Sequence, residues 1–302
     1  FRQLYDTLRL YLFHFLFPFL RCSSDGTVLE SIFLALIPLD MLYLQHIYRF
    51  SEKEEKPLAQ KRTAQLDARL QMTASLVRPH AVFADVGCDH GHLAIELMRL
   101  GAVRGYACDI NPGPLESARR NILHAGLEGS VETVLTDGLE GMEARGITDV
   151  TIAGIGGEVI TNILRRAVFL QQPGIRLILQ PQSREHILRT FLAKNGFPVF
   201  FEQAVRSGRY VYTVMAADYI GACRSLSALE AHGGLLLGCS PEDPSASAAA
   251  EKLWRTARLL QDAAAGLTHR GQHEQAEPLQ KTAQELLAAA SQIDPTSRQE
   301  EL

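Results

Sequence analysis

Five short segments carry side chains able to do chemistry, and each directly follows an apolar run. The first is Asp85-Val86-Gly87-Cys88-Asp89-His90-Gly91. Gly87 lets the backbone approach a ligand. Asp85 can orient the turn or meet a ligand's amino group. Asp89 stands where a phosphate-binding turn carries its middle glycine. A carboxylate there suits a pyrophosphate badly and a cationic sulfonium better. The segment thus favours S-adenosyl-L-methionine over a nicotinamide dinucleotide. The plainer reading is a tight turn with an N-capping aspartate.

The second segment is Asp109-Ile110, 22 positions after Gly87. A carboxylate there can accept both ribose hydroxyls of either ligand class. The third is Thr136-Asp137-Gly138, where Asp137 can accept from an adenine amino group or cap a helix. The fourth, Gly154-Ile155-Gly156-Gly157, needs a backbone that turns sharply or lines a pocket. It lacks the Asn/Asp-Pro-Pro-aromatic run with which many methyltransferases hold an exocyclic amine. A ring nitrogen is therefore the more plausible nucleophile. The fifth is Gln180-Pro181-Gln182-Ser183-Arg184. Its glutamines can bond a base edge and Arg184 can meet a phosphate. Alternatively, Ser183 caps the next helix. The expected cofactor-binding set is Asp85, Gly87, Asp89, Asp109, Ile110, Asp137, Gly138 and Gly154. Gly156, Gly157, Gln180, Gln182 and Arg184 are expected to bind substrate. No cysteine and histidine cluster has metal-ligand spacing, so no metal is expected.

The elements around these segments alternate. Strands are expected at Ala81–Val86, Gly105–Ile110, Val131–Leu135, Val150–Ala153 and Ile175–Leu179. Helices are expected at His92–Leu100, from Pro112, from the glycines to Ala167, and at Arg184–Lys194. Pro198–Arg206 and Arg209–Ala216 read as a hairpin turning at Ser207-Gly208. Such alternation predicts an α/β fold with a parallel sheet covered on both faces. All five segments then fall at the carboxyl edge of that sheet, where ligands bind. Five such units ending in an antiparallel hairpin make the Rossmann-like, seven-stranded sheet of class I methyltransferases.

Flanking regions differ in character. Leu253, Ala257, Leu260, Ala264 and Leu267 follow a heptad-like period, as do Ala276, Leu279, Ala283, Leu286, Ala290 and Ile293. Residues 245–295 are expected to form a helical coiled-coil hairpin turning near Gly271. Residues 60–220 are expected to form the methyltransferase domain. Residues 1–55 are atypically apolar, but His14, Pro18, Glu30, Pro38 and Asp40 interrupt both greasy runs. Neither run supplies the roughly 18 clean apolar residues of a membrane span. The segment reads as a translation extension, with an interfacial membrane segment or an extra domain as alternatives. Ser51 to Lys61 reads as a linker.

The chain has 302 residues, 46% of them hydrophobic, and a formal net charge of −4. These values exclude a disordered chain and a globally basic nucleic-acid binder. A local basic face is still open to Arg62, Arg69, Arg78, Arg184, Arg206 and Arg209. The five cysteines are odd in number and unpaired in pattern, as expected of free thiols in a reducing cytoplasm.

With Asp85-x-Gly87-x-Asp89-His90, the Gly154 to Gly157 loop, Leu179-Gln180-Pro181 and the terminal hairpin, the chain resembles the bacterial tRNA (adenine-22, N1)-methyltransferases. The resemblance covers roughly residues 60–295. Where the family often reads Gly-Ser-Asp-His-Ala-Tyr-Leu, this chain has Cys88, Gly91 and His92 for the Ser, Ala and Tyr. It has Ala153 where a cysteine often precedes Gly154. The resemblance implies S-adenosyl-L-methionine as cofactor, tRNA as partner, a cytoplasmic location and no need of a membrane. It makes Asp89 and His90 the catalytic candidates. Oligomeric state stays open, as do a protein or small-molecule substrate and an inactive nucleic-acid adaptor.

Overall fold

The computed structural model describes residues 66–296. The expected extension and linker before them lie outside the described residues. Asp67 caps the first helix, α1 (Ala68–Ser75), by accepting from the Leu70 N–H. Seven strands follow: β1 (Val82–Val86), β2 (Arg104–Asp109), β3 (Val131–Leu135), β4 (Asp149–Ile155), β5 (Arg176–Pro181), β6 (Val199–Ser207) and β7 (Tyr210–Asp218). They form one sheet in the order β3-β2-β1-β4-β5-β7-β6. β1 to β5 pair in parallel, and β7 joins antiparallel to both β5 and β6. This is the expected seven-stranded sheet ending in a hairpin.

The helices α2 (His92–Arg99), α3 (Pro112–His124), α4 (Gly157–Arg166) and α5 (Glu185–Lys194) connect the strands. The central strands are apolar on both faces because helices cover both. Phe83, Ala107, Leu97 and Ile122 pack on one side. Ile152, Leu177, Ile160 and Leu188 pack on the other. The order reverses at β1, between β2 and β4, which opens a crevice at the carboxyl ends of these strands.

Two sequence expectations change here. Arg184, not Ser183, is the N-cap of α5, and it holds a left-handed φ of 58° without a side-chain capping bond. Arg78 is no part of a basic face: it grips the fully buried Asp149, with Nη2 2.9 Å from Oδ2. Removing that carboxylate's partner would strand a buried charge, so Arg78 is a structural residue.

The C-terminal part begins with a short helix, α6 (Ala228–Gly233), closed by a Ser227/Glu230 capping box. Two long helices follow, α7 (Ala246–His269) and α8 (His273–Ile293). They fold back on each other through Leu253, Ala257, Leu260, Ala283, Leu286 and Ala290, the predicted heptad-like positions. Alanine at half of these positions lets the backbones approach closely. Ala204 and Val211 of the β6–β7 hairpin join the same apolar cluster. No helix among the described residues is long and apolar enough to cross a membrane.

Candidate active site

A cavity of about 550 Å³ opens at the carboxyl ends of β1, β2 and β4. Asp85, Gly87, Asp89, His90, Asp109, Ile110, Asp137, Gly138, Gly154 and Gln182 line it. Every expected cofactor-binding residue is therefore in one place. Gly156, Gly157, Gln180 and Arg184 are not in its lining.

The first turn is built from unusual backbone. Gly87, Asp89 and Gly91 have φ of 73°, 49° and 72°. For Asp89 this left-handed conformation is costly, and the surroundings must hold it. The Asp89 N–H lies 3.4 Å from Asp109 Oδ2, while Asp109 Oδ1 accepts from the Asn111 N–H at 2.8 Å. Asp109 thus braces two turns as well as facing the cavity. The Asp89 carboxylate is exposed, with Oδ1 3.6 Å from His90 Nε2. His92 also lines the cavity; burial and the neighbouring His90 lower its pKa against the opposing Asp89 charge, and this lowering favours the neutral imidazole.

Asp85 is the electrostatic anomaly. It is 3% exposed. Oδ1 accepts from the Thr151 hydroxyl at 2.9 Å, and Oδ2 is buried with no hydrogen-bond partner. Burial pushes its pKa up to about 7; the Thr151 bond opposes the rise, the Asp109 charge adds to it, and the Ala94 backbone N–H opposes it weakly. A buried carboxylate oxygen without a well-formed hydrogen bond, in the wall of a cavity, is a place for a ligand's cationic donor. The cysteines beside it are held as thiols: burial raises the Cys88 pKa well above its ordinary range and Cys108 to about 12.

The fourth segment carries a β-bulge. Pairing of β4 with β5 slips between Ala153 and Ile155, and Gly154 takes φ 82°. The freed Gly154 N–H donates to Gln180 Oε1 at 3.0 Å. The same oxygen accepts from Arg69 Nη1 at 2.8 Å, and Gln180 Nε2 donates to the Pro181 carbonyl. Gln180 is fully buried. It sits beneath the rim as a brace for the bulge rather than on the rim as a base reader. Gly157 explains itself by proximity. A Cβ there would lie 2.6 Å from the Arg184 carbonyl oxygen, and its N–H donates to the Ser183 carbonyl at 2.7 Å. Gly156 and Gly157 thus bring the fourth and fifth segments together. Asp137 is at the cavity edge, but Arg166 holds its carboxylate at 2.7 and 2.9 Å. Arg69 was foreseen only as part of a surface face. Its role in the cavity wall depends on Gln180, which is 111 positions away.

A family model described as a methyltransferase domain matches residues 66–215. Over 177 residues the chain is 30% identical to the tRNA (adenine(22)-N(1))-methyltransferase of Bacillus subtilis, covering 57% of this chain and 73% of that one. The chain belongs to this methyltransferase family. Among solved structures, a candidate tRNA (m1A22) methyltransferase of Streptococcus pneumoniae aligns with a TM-score of 0.64 at 28% identity, over 74% of this chain and 100% of that one. The same pneumococcal protein in complex with S-adenosyl-L-methionine aligns with a TM-score of 0.59, over 72% of this chain and 98% of that one. The lining fits a cationic ligand, since the carboxylates of Asp85 and Asp109 both border the cavity.

Proposed function

We propose that this chain transfers a methyl group from S-adenosyl-L-methionine to N1 of adenine 22 in tRNA, in the cytoplasm. The observation that carries the reading is the acidic cavity at the sheet's carboxyl edge, in a chain of this family. S-adenosyl-L-methionine supplies the electrophilic methyl group. On the protein side, Asp85 and Asp109 would hold the cofactor's cationic and hydroxyl donors. Gly87 and Gly154 would let it lie against the backbone.

N1 of adenine is the most basic ring nitrogen and needs no prior loss of a proton. The chain must therefore position rather than deprotonate. Positioning alone can supply roughly 7–11 kcal/mol. Methylation makes the base cationic. The exposed Asp89 carboxylate would stabilise that growing charge, and His90, with Nε2 3.6 Å from Oδ1, would steady it. N1 lies on the Watson–Crick edge, so the target base must be unpaired or flipped out when it enters.

Asp89→Ala should lower kcat for tRNA by about a hundredfold, the usual effect of removing one electrostatic stabiliser. Affinity for S-adenosyl-L-methionine should change by less than about threefold, because Asp85 and Asp109 remain. The assay is labelled methyl transfer to unmodified tRNA with nucleoside analysis, beside a direct binding titration of the cofactor. Equal losses in both would leave Asp89 a binding residue only. Label in a nucleoside other than 1-methyladenosine, or in protein, would overturn the assignment.

A further inference from the structure

The β6–β7 hairpin outruns the sheet. β5 pairs with β7 only from Met215 to Asp218, whereas β6 and β7 stay paired as far as Ser207 and Tyr210. Since β7 is antiparallel to β5, the unshared residues project past the carboxyl end of β5, on the edge where the cavity opens. Tyr210 and Tyr212 alternate in phase with Val214 and Ala216. Those two residues pack with Met72 of α1 and with Leu76, which caps its C-terminus. The tyrosines therefore share the face that α1 covers.

A continuous row results. Arg69, in the cavity wall, lies with its guanidinium 5.6 Å from the Tyr212 ring centroid. The Tyr212 and Tyr210 rings are 6.1 Å apart at 53°. Arg209 sits 4.9 Å over Tyr210 and donates to its hydroxyl at 2.7 Å. Core packing does not account for this row's outer half, since Tyr210 is 46% exposed. The Gly208-Arg209 turn holds an aromatic ring and a cation at the outer end of a row that begins at Arg69 in the cavity wall.

We propose that this row is the track on which the unpaired nucleotides flanking the target adenine lie. The proposal rests on the tRNA reading above and deepens it. Aromatic faces accept any base by stacking, and guanidinium groups meet phosphates or stack in turn. Sequence-tolerant binding of unstacked RNA needs this combination. A base presented through its Watson–Crick edge must have left its helix, so its neighbours are available for stacking beside it. The row starts at the cavity wall, which puts those neighbours within reach of the hairpin.

The test uses the full chain and an unmodified tRNA transcript, with Tyr210→Ala, Tyr210→Phe and Arg209→Gln. Tyr210→Ala should raise KM for tRNA by about tenfold, the scale of one lost base stack. Its kcat and its affinity for S-adenosyl-L-methionine should stay at the wild-type level. Tyr210→Phe should remain close to wild type because the ring is kept. Arg209→Gln should reduce the slope of log binding constant against log salt by about one. A wild-type KM for Tyr210→Ala overturns the track, provided that the wild-type chain methylates tRNA. So does an equal loss in Tyr210→Phe, or a change in sedimentation that marks the patch as a contact between copies. A wild-type chain that methylates no tRNA overturns the functional reading itself.

Discussion

Asp85→Asn is expected to stabilise the free chain above pH 7 while weakening its hold on S-adenosyl-L-methionine. Both effects come from one buried carboxyl. Its folded pKa of about 7 lies above its ordinary value of 3.8. The folded state therefore binds the proton more tightly than the unfolded state does. Stability falls as pH rises from about 4 to about 7, and above that the cost of an ionised Asp85 is complete. Raising the carboxyl pKa from 3.8 to about 7 corresponds to a cost on the order of 4 kcal/mol, an upper bound because asparagine also alters the Thr151 bond. The melting temperature of Asp85→Asn should thus exceed wild type at pH 8 and match it near pH 4. Cofactor binding should run the other way. A cationic donor favours the ionised carboxyl, so wild-type affinity should rise with pH up to about 7 and then level off. The variant should be weaker by tenfold or more at pH 8, with little pH dependence between 6 and 8. S-adenosylhomocysteine separates the partners: equal losses for both ligands point to the ammonium, and a loss for S-adenosyl-L-methionine alone points to the sulfonium. A variant with wild-type affinity and an unchanged pH profile would remove Asp85 from the binding site.

The largest expected loss of stability is far from the cavity. Arg189 of α5 and Glu202 of β6 form an ion pair at 2.6 Å, with side chains 4% and 1% exposed. Arg189 Nη1 also donates to the carbonyls of Ala231 and His232, and Glu202 Oε2 accepts from the Leu235 N–H at 2.8 Å. The pair therefore fastens the segment leading into α7 and α8 onto the sheet. Glu202→Ala leaves a buried guanidinium uncompensated and orphans a backbone donor. The expected cost is about 3–5 kcal/mol. In a domain of this size that lowers the melting temperature by about 10 °C. The double change Arg189→Met with Glu202→Leu should recover much of the loss, since an apolar pair can replace a buried ion pair. Thermal unfolding of the three variants decides it. A Glu202→Ala chain that melts within about 2 °C of wild type would show that the pair does not fasten this segment.

Local signals carried much of this architecture. Glycines and aspartates punctuate apolar runs at each strand end, so the strand order along the chain and the gathering of Asp85, Asp109 and Gly154 at one edge were legible. The heptad-like spacing likewise anticipated the seam of α7 and α8. Pairings between distant residues were not legible. Nothing near Gln180 shows that Arg69 and a bulged Gly154 will share its oxygen, so a buried brace looked like a base reader. Asp137 read as an adenine acceptor or a helix cap because its partner Arg166 is 29 positions away. Ser183 looked like a cap because serine favours that position. The crowding of Gly157 against the Ser183 and Arg184 carbonyls instead accompanies a left-handed Arg184 at the cap. The short α6 helix went unread because six residues show too little periodicity.

Methyl transfer to one ring nitrogen at one tRNA position is directly testable. Its most direct test is labelled S-adenosyl-L-methionine with two tRNA transcripts that differ only in carrying adenine or guanine at position 22. Label in the adenine transcript alone, recovered as 1-methyladenosine, is the predicted result. Equal label in both would contradict the position, and no label in either, from a chain that binds the cofactor, would contradict tRNA as the substrate.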